Sequence, residues 1–250
     1  MGFIINPYRF ASSPVEVTGS PEEYTTGGYQ YYAWDWPASG ATVAVLSGTI
    51  DVLLVGGGGP GKHNKGGGAG GGGVIHITGY TPSADTALTI VTANDGESST
   101  YDGFSANPGQ RGGYPNGGIG GTVSLGTGGS YSSVASYTNS TATNGTGSYA
   151  GGGAGAGGNG SASGTGGAGV SISEFAVVNS GYFGAGGGGG NSTASRSAGG
   201  TGNPGGYGGA NNEGGGTATS DAGSGAGGSG LGSMATASGG SGIVIIRHAI

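Results

Sequence analysis

The chain has no cysteine, only six lysines and arginines, and 7% charged residues over its 250 positions. Without cysteine there is no disulfide framework and no thiolate metal site. So few cations, with a formal charge of −6, leave no basic stripe, which excludes nucleic-acid binding through phosphate contacts. The longest purely apolar stretches are about four residues, against the ~20 needed to span a bilayer, so membrane insertion is not expected. The N-terminus also lacks the charged region and long apolar core of a secretion signal. A surface protein with neither signal nor disulfides is expected to assemble in a cytoplasm and to leave it within a larger particle. Helical periodicity is missing as well. Residues 171–179 are the one candidate helix, and their β-branched residues read equally as a strand.

What the chain has in excess is glycine, 70 residues of it. The glycines gather in runs over 66–73, 151–158, 186–190 and 223–232. Each costs about 0.5–1 kcal/mol more than alanine to order. Composition of this kind is usually disordered, but disordered chains are usually highly charged, and here apolar β-branched segments recur between the runs. Ordered glycine therefore needs a compensating structure. Left-handed extended helices have three residues per turn, ~3.1 Å rise and no internal hydrogen bonds. Packed side by side, such helices can bond one another through the backbone, with weak Cα–H···O contacts added. Local period-three spacing at Gly67, Gly70, Gly73 and at Gly202, Gly205, Gly208 fits this packing. Asn144-Gly145, Asn159-Gly160, residues 114–117 and residues 203–205 carry turn chemistry.

Residues 29–36, 42–46, 50–55, 74–78 and 86–92 form a series of turn-separated strands that suggests a sandwich. Leu53 to Val55 and Ile243 to Ile246 are continuous apolar runs, expected at the centre of a sheet and covered on both faces. Because the last strand needs a sheet, the glycine-rich stretch is an insertion and not a tail. The expected class is all-β: a small β-sandwich-like base over 21–105, completed by strand 242–248, with 106–241 packed as polyglycine II helices. Residues 1–20 stand apart as a peptide and hinge. Phe3, Ile4, Ile5, Pro7, Tyr8 and Phe10 read as an attachment peptide for a partner surface, or alternatively as a first edge strand.

Chemical motifs carry little. Gly56 to Lys62 follows a strand like a phosphate loop, but His63 stands where Ser or Thr is needed. His63, His76 and His248 have no ligand spacing. Asp95, Glu97 and Asp102 surround Asn94-Asp95-Gly96 and read as a turn before a calcium loop. The G-x-S-x-G elbow is absent, and the Asn191-Ser192-Thr193 sequon is of a kind expected by chance. No enzyme, cofactor or metal is expected. Tyr114, Tyr131, Tyr137, Tyr149, Tyr182, Phe183 and Tyr207 sit between glycine runs in turn-like segments. They are candidates for receptor contact, or for a roof that shields the glycines from water.

The segment Ile50 to Val55 running into Gly56 to Gly59, and the closing Ser241-Gly242-Ile243-Val244-Ile245-Ile246-Arg247, resemble the glycine-rich domain of bacteriophage tail-fibre and adhesin proteins. The resemblance covers roughly residues 24–250. It implies a sandwich-like base, polyglycine II helices and distal loops that recognise a host surface. The N-terminal stretch likewise resembles the attachment peptides of virion appendage proteins. A tail-fibre tip or receptor-binding protein on the exposed virion surface is therefore expected. It would dock on other virion proteins through its N-terminal peptide and contact a host-surface glycan or outer-membrane protein. A homo-oligomer is expected, a trimer being favoured. A capsid decoration or head-fibre protein and an extracellular filament subunit are the alternatives.

Overall fold

The strands alternate in which face they bury, and that alternation builds two cores from one sheet. The computed structural model describes residues 14–82, 88–138, 141, 143–202 and 205–250. Among them, the outer sheet orders β1 (Val15–Val17), β4 (Ser39–Val45), β7 (Leu88–Val91), β8 (Ser99–Tyr101), β9 (Phe104–Ala106) and β10 (Val123–Ser124). The middle sheet orders β11 (Ser133–Tyr137), β6 (Val74–Tyr80), β5 (Ile50–Val55), β14 (Ile243–Ala249), β3 (Tyr29–Asp35) and β2 (Glu22–Thr26). All the pairings are antiparallel.

Val52 and Leu54 of β5, Val244 and Ile246 of β14, and Tyr32 and Trp34 of β3 face the outer sheet. There they meet Val43, Ile90, Tyr101 and Phe104. Leu53, Val55, Ile243, Ile245, Tyr31 and Ala33 face the other way into a second cluster. The continuous apolar runs of β5 and β14 are therefore central and covered on both faces, because period-two alternation needs an apolar residue at every position of such a strand.

The second face is closed by a small cap. It is built of β12 (Val170–Ser171), β13 (Tyr182–Phe183) and the 3-10 turns Ser173–Phe175 and Asn179–Gly181. The candidate helix over 171–179 is thus a strand end and a 3-10 turn. The turn drops Phe175 edge-on against Tyr31 (6.4 Å between centroids) and His76 (5.3 Å). Burial pushes the His76 imidazole below its ordinary value. Arg247 of β14 pins cap to sheet. It pairs with Asp51 at 2.8 Å, donates to the Glu174 carbonyl at 3.0 Å, and lies over the Tyr29 ring at 4.4 Å.

Beyond the sheets the glycine runs form a lattice. Every residue from Gly66 to Gly73 is buried, and each N–H donates to a different run at 2.5–3.0 Å. Gly67, Gly70 and Gly73 donate to the carbonyls of Gly113, Gln110 and Asn107. Gly68 and Gly71 donate to Gly151 and Ala154, and Gly66, Ala69 and Gly72 to Ser229, Ala226 and Gly223. The carbonyls of the same run accept from three further runs. Gly118 and Gly121 donate to Gly68 and Gly71, Gly187 and Gly190 to Ala69 and Gly66, and Gly56 and Gly59 to Gly73 and Gly70. A bond direction that recurs every third residue is the signature of a three-residue turn. Six neighbours around one run complete the polyglycine II packing. A net contribution of about 1 kcal/mol per amide bond is of the size needed to offset the excess ordering cost of each glycine.

At the glycine positions that face a neighbouring run side chains are excluded sterically, while Ala69, Ala154 and Ala226 show that a methyl fits elsewhere. A Cβ on Gly70 would stand 1.9 Å from the Ile119 carbonyl oxygen, and one on Gly153 1.9 Å from that of Ala69. The period-three triplet Gly67, Gly70, Gly73 thus faces one neighbouring run. Gly202, of the other triplet, instead occupies a turn with φ of +100°.

Three boundaries move. The lattice begins at Gly56 and not at 106, since 56–59 and 66–73 lie at its heart. Residues 123–124 and 133–137 leave the glycine-rich stretch to extend both sheets. Residues 15–17, expected within the hinge, form an edge strand on β4. Phe3, Ile4, Ile5, Pro7, Tyr8 and Phe10 lie outside the described residues.

Candidate functional site: the distal face of the glycine lattice

Chain direction decides where the turns gather. Residues 56–59 leave β5 outward and 66–73 return into β6, while 107–113 leave β9 and 118–121 return towards β10. The intervening turns therefore lie at the end of the lattice away from the sheets. Turns over 60–65, 114–116, 144–149, 191–196, 210–213 and 230–234 meet there and are stitched by backbone bonds. Asn64 N–H donates to the Ser233 carbonyl (2.8 Å), Lys65 to Gly230 (3.0 Å), and Leu231 to Asn191 (3.0 Å). Asn212 donates to Leu231 (2.7 Å), Asn211 to Thr193 (2.8 Å), and Ser192 to Ser148 (3.0 Å).

Asn191 organises one of these loops from within. It is fully buried, its side-chain carbonyl accepts from Thr193 N–H at 2.8 Å, and its amide donates to the Ser195 carbonyl. This is Asx-turn chemistry. It leaves Asn191 engaged and buried, unlike a sugar acceptor.

Tyr114 is the most exposed of the candidate rings, at 60%. The Lys65 ammonium stands 5.2 Å from its centroid and donates to the Gly147 carbonyl at 2.9 Å. Asn64, Lys65, Tyr114, Ser192 and Leu231 line an open groove of about 320 Å³. Asn64 and Lys65 both hold the left-handed conformation, at φ of +54° and +55°, which non-glycine residues seldom adopt.

The remaining aromatic candidates scatter. Tyr149 is half-buried on the distal face, bridged to Asn191. Tyr207 lies on the flank, where the Arg196 guanidinium covers its ring at 4.4 Å. It shields Gly216, whose added Cβ would meet the ring at 2.5 Å. Tyr182 shields Gly202 in the same way, at 2.6 Å. Tyr137 pairs with Val74 in β11, beside the second core.

Two candidates lie away from the distal turns, Tyr131 exposed at 39% and Phe183 sealed off. Tyr131 lies just before β11, where it packs on Phe104 at 6.1 Å, at the end of the sandwich opposite the lattice. Phe183 is fully buried in the second core, so it cannot meet a ligand. An aromatic between glycines is ambiguous in sequence, because the same spacing serves a roof, a core plug or a loop tip. Lys65, Asn64, Ser192 and Leu231 were not singled out from sequence. Lys65 carried one signal, as one of only six lysines and arginines, and Asn64, Ser192 and Leu231 carried none.

The other motifs stay apart. Gly56 to Gly59 already donate their amides to Gly73, Glu97, Gly240 and Gly70, so they are not free to cradle a phosphate. Asp95 and Glu97 belong to a turn closed on Asn94. Asp102, whose carboxyl burial raises, accepts from the Tyr80 hydroxyl in the β8–β9 turn. Among the described residues no group of three or more His, Cys, Asp or Glu is placed to hold a metal ion, and no helix is long and apolar enough to cross a membrane.

An all-β sandwich continued by a six-neighbour polyglycine II lattice, with its turns gathered at one end, defines a class of glycine-rich structural domain. The family model described as "Glycine-rich domain" matches residues 25–249, and the chain belongs to that family. No curated protein matches it.

Proposed function

We propose that this chain is a bacteriophage virion protein, a tail-fibre tip or receptor-binding adhesin that contacts the host cell surface through its distal loops. The observation that carries this reading is the stitching of loops from six separate turns into one face on a rigid lattice. Recognition loops gain affinity when their scaffold removes the cost of ordering them. The shape of that face depends on backbone bonds beneath it, so its loop sequences can vary without disturbing the platform. The N-terminal peptide from Phe3 to Phe10 would grip other virion proteins. Contact with a host-surface glycan or outer-membrane protein would then be multiplied by several copies, a trimer being favoured, on one particle. Binding is the whole mechanism, with no chemistry on the ligand.

Purified full-length protein, fluorescently labelled, should bind host cells and block adsorption of the parent particle in proportion to occupancy. Protein that binds no cell tested and leaves adsorption unchanged would sink the adhesin reading. Particles made with residues 2–12 deleted should lack the protein. Unchanged incorporation would remove the anchor.

A further inference from the structure

Charge is sorted between the two ends of the molecule. Lys62, Lys65, Arg111 and Arg196 all belong to the distal turns or point into them. Arg111 Nε donates to the Gly61 carbonyl at 3.0 Å, and Arg196 lies within the 191–196 loop. Arg247, in β14, is the other described cation. The acids are placed the other way. Glu16, Glu22, Glu23, Asp35, Asp51, Asp95, Glu97, Asp102, Glu174 and Asp221 occupy the sandwich, its cap or the junction with the lattice. Of these, Asp95 lies close enough to Arg111 for the two charges to interact, which leaves Lys62 and Lys65 as the unspent distal cations. Glu213 is the described acid of the distal turns, and it is spent on Arg196, whose Nε donates to it at 3.0 Å. A chain of net charge −6 thus presents a cationic face at its far end. An acidic base repels an anionic surface while that face attracts it, so the sorting orients the molecule as it approaches.

The groove beside Tyr114 gives this field a receiving site. Its lining holds an exposed aromatic ring, an ammonium and the Leu231 side chain, which is 45% exposed. It also holds the Asn64 amide, whose oxygen accepts from Gly232 N–H at 3.2 Å and whose NH2 faces a ligand as donor. The Ser192 hydroxyl donates to the Ser148 carbonyl at 3.4 Å and keeps its acceptor side. The Lys65 ammonium has three donors, and the Gly147 carbonyl takes one, which leaves others for a ligand. A flat ring flanked by small neutral hydrogen-bonding groups suits the C–H face and hydroxyls of a pyranose. An acidic peptide would want a deeper apolar pocket for its side chains. Holding Lys65 in a left-handed turn fixes where its charge stands relative to the ring.

We propose that this groove binds an acidic saccharide, with a pyranose ring on Tyr114 and the carboxylate or phosphate of the sugar beside Lys65. The proposal rests on the adhesin reading and names the ligand class of the same face. The test is an array of oligosaccharides carrying uronate, sialate or phosphate groups, each beside its neutral parent, probed with labelled full-length protein at two salt concentrations. Acidic members should bind above their neutral parents and weaken as salt rises. The uronate and sialate arms against the phosphate arm show which anion is taken. Lys65→Gln should lower binding to the best acidic member about tenfold, the loss of one charge-assisted bond. Lys65→Arg should retain it, and Lys62→Gln, outside the groove, should change it less than about twofold. Unchanged melting temperatures would show that the variants fold. Neutral parents binding as well as acidic members, no member binding, or Lys65→Gln without effect overturns the proposal. Cell binding that persists in any of those cases leaves the adhesin reading standing with its contact elsewhere. Cell binding lost as well removes both.

Discussion

The sandwich and the lattice solve the same problem with opposite means. In the sandwich, side chains exclude water, and the strands carry large apolar residues at positions such as Trp34, Leu54 and Ile246. In the lattice there are almost no side chains to bury, and stability comes from backbone amides that find partners on neighbouring runs, as all eight of residues 66–73 do. The first region tolerates changes of side-chain shape at modest cost, because cores relax. The second has no slack at its centre. At a central glycine such as Gly70 or Gly153 a single added methyl group meets a carbonyl oxygen and not another side chain, whereas the native alanines of these runs, such as Ala69, take positions where a methyl fits.

That contrast can be broken most sharply at Gly70. Gly70→Ala places a methyl 1.9 Å from the Ile119 oxygen. It should cost more than about 4 kcal/mol or yield no folded protein, as read by urea unfolding. A variant of near-native stability would mean the lattice can open at its centre. Leu54→Ala, in the fully buried heart of the sandwich, should cost about 3 kcal/mol. A loss smaller than about 1 kcal/mol would place the folding energy of the base elsewhere. Arg247→Ala should cost about 2 kcal/mol, because it takes the ion-pair partner from Asp51, leaving that carboxylate only the Gly79 N–H, and loosens the cap from β14. Asp51→Asn made in the same background should recover part of that loss, and a double-mutant cycle showing no coupling would contradict the pinning role. Gly158→Ala sharpens the comparison from the other side. A Cβ at this position meets nothing nearer than 3.6 Å and the backbone is not left-handed. The variant should be stabilised by about 0.5 kcal/mol through the unfolded chain. Destabilisation would show that glycine is needed even where there is room.

The smallest effect is expected where the two regions join. Asp35 ends β3 and faces Asp221 and Glu22 across a cavity of about 210 Å³. Burial raises its carboxyl above the ordinary aspartate range, and the Asp221 charge adds to that. A raised carboxyl disfavours the ionised fold. The penalty is therefore present above the folded value and vanishes as the pH falls towards the ordinary aspartate range. Asp35→Asn should raise the melting temperature slightly at neutral pH and leave it unchanged in acid. The opposite pH trend would mean that Asp35 has a stabilising partner.

Much of the sandwich was legible because its signal is periodic. The apolar runs at Leu53 to Val55 and Ile243 to Ile246 could only be central strands, and their neighbours alternate as a sheet requires. The lattice was legible as a physical necessity at Gly67, Gly70 and Gly73, where the spacing matches the turn. Its extent was not. Nothing in Gly56 to Gly59 says that the run leaves β5 as a lattice member, and Val123 and Val134 gave no warning that the chain returns to the sheets. The aromatics were the least legible. Tyr114 and Phe183 have similar glycine-rich surroundings in sequence, yet one is the most exposed candidate and the other is sealed in a core.

Composition alone required that so much glycine either stay disordered or bond through its backbone, since no side chain could do the work. It equally required that the apolar segments pair into sheets. Tertiary structure decided which run neighbours which, because a glycine amide has the same chemistry at every position and only its place in space names its partner. The same holds for the distal groove: Lys65, Tyr114, Ser192 and Leu231 are distant along the chain and become one surface only when four turns of the lattice end side by side.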